Sequence, residues 1–266
     1  MPKVRLDLLL AERGLAESRS QAQKLVMAGQ VRVNGQVVLK SADKFADDVQ
    51  IEVDLGPPYV SRGGEKLEAA LVAFGRTALE GRTCVDVGAS TGGFTDCLLQ
   101  HGAGKVYAVD VGYGELHWKL RNDPRVVVME RTNARYVEGF PEPISFVTVD
   151  ASFISLRILL PVVHTWFVDG SGEVVALIKP QFEAGRKEVS RGDGVIQDPL
   201  IHRRVLAEIL EFARADGWQI RGLIQSPLKG PKGNIEFLVH LALPSEPGAE
   251  NTVESLIEAA LPPIEE

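Results

Sequence analysis

The sequence predicts an α/β fold, a Rossmann-like doubly wound sheet that follows a small α+β domain at the N-terminus. Five short apolar runs, bounded by Gly, Asp or Pro, alternate with segments long enough for crossover helices, as in buried parallel sheets. Two more runs follow the amphipathic helix Leu200–Ala215 without a helix between them, so they must pair as antiparallel strands. The seven predicted strands are Thr83–Val87, Val106–Val109, Val126–Met129, Ile144–Val149, Val174–Ile178, Trp218–Gln225 and Ile235–Leu243.

The first 55 residues predict a compact helix–helix–hairpin module. Leu8–Leu10 belong to a short apolar face, and Ser18 suits the N-cap of a second helix that ends at Gly29. Asn34-Gly35 lies between valines that alternate with polar residues, which is a strong hairpin signal. Asp48–Val53 supplies one more strand. Such a module is small for an independent hydrophobic core.

Four segments follow from these patterns. Residues 1–55 form the small domain, and residues 56–62, which include Gly56-Pro57-Pro58, form a short, fairly stiff linker. Residues 63–244 form the large domain. Residues 245–266 hold six glutamates and no Lys or Arg, and we treat them as an acidic tail.

The composition of the 266 residues excludes several classes of protein. With 45% hydrophobic and 24% charged residues, the chain is neither disordered nor collagen-like. Its two cysteines argue against a disulfide scaffold and show no metal-ligand spacing. No apolar stretch approaches the roughly 18 residues of a membrane span, so we expect a soluble cytoplasmic protein. The net charge of −7 resides largely in the six tail glutamates and therefore does not exclude an RNA partner.

A glycine-rich loop follows the first strand of the predicted sheet. Ligands of open α/β sheets bind beyond the carboxyl ends of the strands, and here Val85–Phe94 supplies glycines for close backbone approach. Asp110 ends the second strand and is placed to accept the hydroxyls of a ribose. A dinucleotide fingerprint would require glycine at the position of Ser90, so an adenosine ligand without a diphosphate is favoured. Tight packing between strand and helix is the alternative explanation of the glycines.

These residues resemble known families. Val85–Phe94 with Asp110 resembles the cofactor loop of S-adenosylmethionine-dependent methyltransferases. Within them, the FtsJ-like ribose methyltransferases carry a Lys-Asp-Lys-Glu tetrad, to which Lys66, Asp150, Lys179 and Glu236 correspond. The N-terminal motif, from Arg5-Leu6-Asp7 to Val33-Asn34-Gly35, is similar to the alpha-L RNA-binding motif of the ribosomal small-subunit protein four type. The two motifs together, joined through Tyr59–Gly64, resemble the TlyA family, some of whose members are named haemolysins.

This resemblance implies roles for particular residues. It implies S-adenosyl-L-methionine as cofactor and ribosomal RNA or a ribosomal subunit as partner, with no metal and no membrane. The implied cofactor-binding residues are Asp86, Gly88, Ser90, Gly92, Gly93, Phe94, Asp110, Val111, Asn133 and Asp150. The implied RNA-binding residues are Arg5, Arg19, Lys24, Arg32, Arg62, Arg186, Lys187 and Arg191. Asn133 could equally be a turn or helix cap, and the segment 183–193 could be a solvated connection.

The tetrad suits the chemistry of a ribose 2′-hydroxyl, which needs a base or a cationic partner because it is a poor nucleophile at neutral pH. We expect Lys179 to take the proton, Lys66 and Asp150 to set its protonation state, and Glu236 to orient the groups or balance their charge. Each residue alone could be a solvated charge at a strand end. The loop Asp150–Phe153 has no prolines that would press against a flipped base, which argues against base methylation.

The predicted function is an S-adenosylmethionine-dependent rRNA (cytidine-2′-O)-methyltransferase. Two alternatives belong to other classes. A haemolysin or pore-forming protein would need a membrane-active helix, and the sequence has neither an apolar span nor a long amphipathic helix with a basic face. A non-catalytic RNA-binding factor for ribosome assembly would bind the cofactor without turnover. A nicotinamide enzyme is disfavoured by Ser90.

Overall fold

The chain folds as two compact units. The computed structural model describes residues 3–54, 56–185, 188, 192, 194–244 and 252–261. The contacts divide the chain into Met1–Pro58 and Tyr59–Glu266. The smaller unit has a hydrophobic core of its own, and the larger unit has two.

Short helices and strands build the smaller unit. The α-helices are α1 (Leu6–Glu12) and α2 (Arg19–Met27), and the strands are β1 (Lys3–Arg5), β2 (Val31–Val33), β3 (Gln36–Val37), β4 (Lys44–Ala46) and β5 (Ile51–Val53). Strand β2 lies between β3 and β5, whereas β1 pairs with β4 in a separate two-stranded sheet that the sequence did not predict.

Two local signals in the smaller unit are confirmed. The Ser18 side chain accepts a hydrogen bond from the backbone N–H of Gln21 and so caps α2. Asn34 and Gly35 both have positive φ, 50° and 79°, as the tight hairpin turn between β2 and β3 requires. The core beneath them consists mainly of leucines and valines of α1, α2 and β2.

The larger unit carries a seven-stranded sheet. Its strands are β6 (Thr83–Val87), β7 (Lys105–Val109), β8 (Val126–Met129), β9 (Phe146–Val149), β10 (Gly172–Ile178), β11 (Gln219–Gln225) and β12 (Phe237–Leu243), in the order β11-β12-β10-β9-β6-β7-β8. Strand β12 runs antiparallel to both of its neighbours, and the pairs from β10 to β8 are parallel. Each predicted run overlaps one of these strands, so the predicted fold class is confirmed.

Helices cover both faces of this sheet. They are α3 (Gly63–Ala73), α4 (Gly93–Gln100), α5 (Trp118–Arg121), α6 (Leu156–Thr165), α7 (Pro180–Glu183), α8 (Pro199–Ala215) and α9 (Val253–Ala260). One core joins α3, α4 and α5 to one face, and the other joins α6, α8 and α9 to the opposite face. Because side chains alternate along each strand, Cys84 belongs to the first core and Val85 to the second.

The segment that the sequence sets apart as an acidic tail contains helix α9. Val253, Leu256 and Ile257 are buried against the larger unit, and Arg203 of α8 pairs with Glu254. The expectation of a separate tail is therefore corrected for residues 252–261, since the glutamates of α9 lie on its solvent side while its apolar face completes the core. Residues 245–251 and 262–266 lie outside the described part of the chain.

Candidate active site

The topology of the sheet brings the four tetrad residues to one edge. Asp150 and Lys179 directly follow the parallel strands β9 and β10, so both lie at carboxyl ends. Glu236 precedes β12, and because β12 is antiparallel its beginning lies at this same edge. Lys66 reaches the edge from helix α3. All four residues line one cavity of about 350 Å³.

The tetrad forms two ion pairs. Lys179 Nζ lies 2.6 Å from Asp150 Oδ1, and it donates to the Ser152 hydroxyl at 3.1 Å. Lys66 Nζ lies 2.6 Å from Glu236 Oε2, and Glu236 is 2% exposed. A buried charge needs a partner of opposite sign, and each of these groups has one. We expected Lys66 to act beside Lys179, but its direct partner is Glu236.

The glycine loop between β6 and α4 needs its glycines. Gly88 has a φ of 83°, and a Cβ there would lie 2.6 Å from the carbonyl oxygen of Asp150. A side chain at Gly93 would meet Ser61 and the backbone of Gly64. Ser90 also has a left-handed backbone, with φ 46°. The loop therefore packs tightly against the end of β9 and the start of α3.

A second cavity of about 340 Å³ adjoins the first, and the two share Gly88, Ser90, Asp150 and Ser152 as lining residues. Asp110 lines this second cavity, and its carboxylate accepts the N–H groups of Ser90 at 2.8 Å and Gly112 at 2.7 Å. A carboxylate can accept further hydrogen bonds, so Asp110 can also hold hydroxyl groups of a ligand in this second cavity.

Most of the predicted cofactor-binding residues line these two cavities, but two do not. Asp86 is fully buried, and it accepts hydrogen bonds from Thr95 Oγ1 at 2.6 Å and Thr148 Oγ1 at 3.2 Å. Burial raises the pKa of its carboxyl to about 7. Gly92 packs against Leu116 and Leu120. The structure places Asp86 where β6 meets α4 and β9, and Gly92 at the start of α4; their contact with a cofactor stays a prediction.

The remaining cofactor residues lie at the cavities. Gly93 and Phe94 line the first cavity, and Val111 and Asn133 line the second. The Asn133 side chain also accepts a hydrogen bond from the backbone N–H of Arg135 and caps a short 3₁₀ turn. It therefore acts as a cap, the alternative that the sequence left open, while it still borders the cavity.

A third cavity, of about 400 Å³, shares Lys179 and Glu236 with the first and includes residues that the sequence did not single out. Phe153 is 91% exposed with a φ of 63°, and its ring lies 4.9 Å from that of Phe182. Lys232 also lines this cavity, and Lys229 lines the first one. The run Lys229–Asn234, rich in glycine and lysine, was the available signal for this loop.

The predicted RNA-binding residues fall into three groups. Arg62 is exposed and lines the first cavity. In the smaller unit, Lys24 and Arg32 are exposed, whereas Arg5 and Arg19 pair with the buried Asp7. Arg186, Lys187 and Arg191 lie outside the described residues.

A cluster of potential metal ligands lies between α3 and α4. One ligand atom from each of Glu68, Cys97 and His101 lies within 4.8 Å of the others, a grouping that the sequence spacing did not predict. His101 and Tyr59 both hydrogen-bond to the same oxygen of Glu68, and the Cys97 thiol lies 3.8 Å from it. The cluster is thus satisfied as a hydrogen-bond network around one carboxylate.

In the parts of the chain that the structure describes, no helix is both long and apolar enough to cross a membrane.

Two family models match the chain along its length. The FtsJ-like methyltransferase model matches residues 59–243, and the S4 domain model matches residues 4–50. The chain belongs to the FtsJ-like methyltransferase family. It is therefore a methyltransferase, and its smaller unit is an S4 domain.

Relatives of this FtsJ-like methyltransferase confirm the resemblance to TlyA. The chain is 46% identical over 243 residues to the 16S/23S rRNA (cytidine-2′-O)-methyltransferase TlyA of Mycobacterium tuberculosis, covering 90% of each chain. It is also 46% identical to Hemolysin A of Brachyspira hyodysenteriae, over 90% of this chain and 100% of that one. A solved structure from Streptococcus thermophilus, named as a candidate haemolysin, matches with a TM-score of 0.71 and 44% identity over 97% of this chain and 96% of that one.

Proposed function

We propose that this FtsJ-like methyltransferase transfers the methyl group of S-adenosylmethionine to the 2′-hydroxyl of a cytidine in ribosomal RNA. The observation that carries the proposal is the meeting of Lys66, Asp150, Lys179 and Glu236 at one cavity beside the glycine loop. The substrate class follows the TlyA relative, which is named for cytidine 2′-O-methylation of 16S and 23S rRNA.

The two adjoining cavities support the choice of cofactor. Asp110 lines the second cavity, where ribose hydroxyls can reach its carboxylate. Gly88 and Ser90 border both cavities and present backbone rather than bulky side chains to the ligand. When bound, S-adenosylmethionine supplies a methyl group on a sulfonium that needs no further activation, so positioning supplies much of the remaining rate.

Lys179 is the residue that we assign to the proton of the 2′-hydroxyl. A lysine can take a proton only as the free amine, so Nζ must first release one of its own protons to solvent. The Asp150 carboxylate, 2.6 Å away, holds Nζ in place. The neutral amine then accepts the hydroxyl proton at Nζ as the ribose oxygen forms its bond to the methyl carbon.

The second ion pair lines the same cavity. Lys66 places a second ammonium there, and we keep it as a proposed partner of Lys179 in the proton step. Glu236 holds Lys66 in this place with an ion pair of 2.6 Å. Gln181 Nε2 donates to the other oxygen of Glu236 at 3.4 Å, so both oxygens of this carboxylate have partners.

The third cavity suits an extruded nucleotide. RNA bases outside a helix are recognised by stacking on aromatic side chains, and enzymes that modify nucleotides extrude them from the stack. Phe153 and Phe182 present an aromatic pair next to Lys179. Lys229, Lys232 and Arg62 line the first and third cavities and can contact the flanking phosphates.

The test is transfer of labelled methyl to unmodified ribosomal subunits by the wild type and by Lys179→Ala. We expect the rate to fall by about 10²–10⁴-fold, the usual contribution of a general base. S-adenosylmethionine affinity, measured by calorimetry, should remain within a few-fold, because Lys179 does not line the second cavity, where we place the adenosine. Lys105→Ala is the matched control, since Lys105 begins β7 at the opposite edge of the sheet.

Two results would contradict the proposal. Unchanged transfer in Lys179→Ala would remove the lysine from the proton step. Absence of transfer by the wild type to either subunit or to naked rRNA, despite cofactor binding, would favour the non-catalytic assembly factor.

A further inference from the structure

The smaller unit contains a buried carboxylate, that of Asp7, which is 0% exposed. It accepts hydrogen bonds from Arg5 Nε at 3.0 Å and Nη2 at 2.9 Å, from Arg19 Nε at 2.9 Å and from Gln23 Nε2 at 2.8 Å. The Arg5 hydrogen bond is the main cause that holds the pKa of Asp7 well below its usual range, against the opposing effect of burial. The carboxylate is therefore charged in the folded chain.

Two arginines share this one negative charge. Arg5 and Arg19 both donate to Asp7 Oδ2, so their guanidinium groups lie within two hydrogen-bond lengths of each other. One positive charge suffices to neutralise Asp7, and the second is left over. Among the residues that the structure describes, neither arginine has another carboxylate within ion-pair distance. The arrangement brings two like charges together and leaves a surplus of positive charge.

The surplus is accessible to a ligand. The side chains of Arg5 and Arg19 are 34% and 51% exposed. Each guanidinium has five N–H donors, of which Asp7 takes two from Arg5 and one from Arg19. The remaining donors have no hydrogen-bond partner within residues 3–54, and they belong to planar forks that match a phosphate group.

We propose that Arg5 and Arg19 form a clamp for one phosphate of the RNA backbone, with Asp7 as the positioning residue that holds them side by side. The proposal rests on the proposed function, because its ligand is the RNA of that reaction. The clamp is held in place before the RNA arrives, so less side-chain freedom is lost on binding. Exposed Lys24 lacks such a partner among the described residues, and Arg32 has only a 3.4 Å hydrogen bond to the carbonyl oxygen of Gly35.

The test is the affinity of the full-length chain for ribosomal RNA, measured by equilibrium binding at several salt concentrations. Asp7→Asn removes a negative charge, and general electrostatics would make it bind a polyanion more tightly. The clamp requires the opposite result, because the two arginines lose the group that orients them. We expect Asp7→Asn to weaken binding about tenfold. Asp48→Asn, which neutralises an exposed acid of the same unit, should leave binding unchanged or slightly tighter.

A mutant cycle distinguishes positioning from mere structural support. Arg5→Ala with Arg19→Ala should weaken binding and lower the slope of log affinity against log salt by about one, as expected for one lost phosphate contact. Asp7→Asn added to this double variant should cause no further loss. An equal additional loss, or unchanged or tighter binding by Asp7→Asn alone, would overturn the proposal.

Arg19→Lys covers the case in which Asp7→Asn unfolds the smaller unit. It keeps the charge and the ion pair with Asp7 but lacks the planar fork, and we expect about five- to tenfold weaker binding. Unchanged affinity would overturn the clamp. If the clamp variants bind like the wild type while methyl transfer to RNA proceeds, only this inference fails. RNA binding that depends on the clamp without any methyl transfer overturns only the proposed function.

Discussion

Burial changes the chemistry of single side chains in the larger unit, and Asp86 shows it most clearly. Its carboxyl is fully enclosed between β6, α4 and β9 and receives hydrogen bonds from two threonine hydroxyls. Loss of hydration raises its pKa to about 7, well above the value of about 3.9 of an aspartate in an unfolded chain. The fold therefore accommodates Asp86 best in its neutral form.

This shift makes the stability of the larger unit depend on pH. The contribution of Asp86 is fully present below about pH 4, where both states are protonated, and is lost as the pH rises through about 7. We expect the wild type to lose about 3 kcal/mol relative to Asp86→Asn between pH 5 and pH 8, because one pH unit corresponds to about 1.4 kcal/mol. Urea unfolding of both proteins at the two pH values measures it. A difference that is independent of pH would contradict this assignment.

The sequence could identify the tetrad residues but not their pairing. Lys66, Asp150, Lys179 and Glu236 are recognisable from the motifs around them. That Lys66 binds Glu236 rather than flanking Lys179 depends on how α3 is oriented over the sheet, which no local pattern encodes. Likewise, Asp86 belongs to the loop motif, but only the alternation of side chains along β6 places it in the interior.

At the scale of elements, the turn between β6 and α4 depends on the close approach of its backbone to the backbone that follows β9, rather than on side-chain contacts. Gly88 has a φ of 83°, and the carbonyl oxygen of Asp150 lies where a Cβ on Gly88 would point. Gly114 is its matched control, because it has a similar φ of 77° and a Cβ added there would meet nothing within 4 Å.

The two glycines should respond differently to alanine. Gly114→Ala should cost about 1 kcal/mol of stability through backbone strain alone. Gly88→Ala should in addition displace the loop from β9 and weaken S-adenosylmethionine binding more than tenfold, because a shift of the loop disturbs both cavities. Calorimetric titration and thermal unfolding measure the two effects. Equal cofactor affinity in both variants would contradict the role of the close approach.

Helix α9 was missed because the six glutamates near the C-terminus dominate the composition of that segment. Its apolar positions recur at helical spacing, and their side chains are buried against α8 and β11. The two-stranded pairing of β1 with β4 was missed for another reason. Strands of only three residues carry too little periodicity to be recognised.

Helix α9 should contribute to the stability of the methyltransferase unit. Ile257 is fully buried, so Ile257→Ala should lower the free energy of unfolding by about 2–5 kcal/mol, the usual range for buried aliphatic residues. Glu258→Ala on the exposed side should change it by less than about 0.5 kcal/mol. Chemical denaturation of the full chain compares them. Similar effects of the two substitutions would show that the packing of α9 contributes nothing.

At the scale of the whole molecule, the two units divide the work of the proposed reaction. The S4 domain carries the paired arginines at Asp7, and the methyltransferase unit carries the cofactor loop and the tetrad. The order of strands and helices was predictable because apolar runs of strand length alternate with crossover segments. The Lys229–Asn234 loop was not, since its place beside the tetrad depends on β12 inserting between β10 and β11.

The most direct measurement is the chemical position of the transferred methyl group. Ribosomal subunits that lack the modification are incubated with the wild-type protein and labelled S-adenosylmethionine, and the RNA is then hydrolysed with alkali. A 2′-O-methyl group blocks cleavage at its own nucleotide, so we expect the label in an alkali-resistant dinucleotide that begins with cytidine, and none with Lys179→Ala. Label in an alkali-sensitive mononucleotide, which would mark a methylated base, would contradict transfer to the ribose.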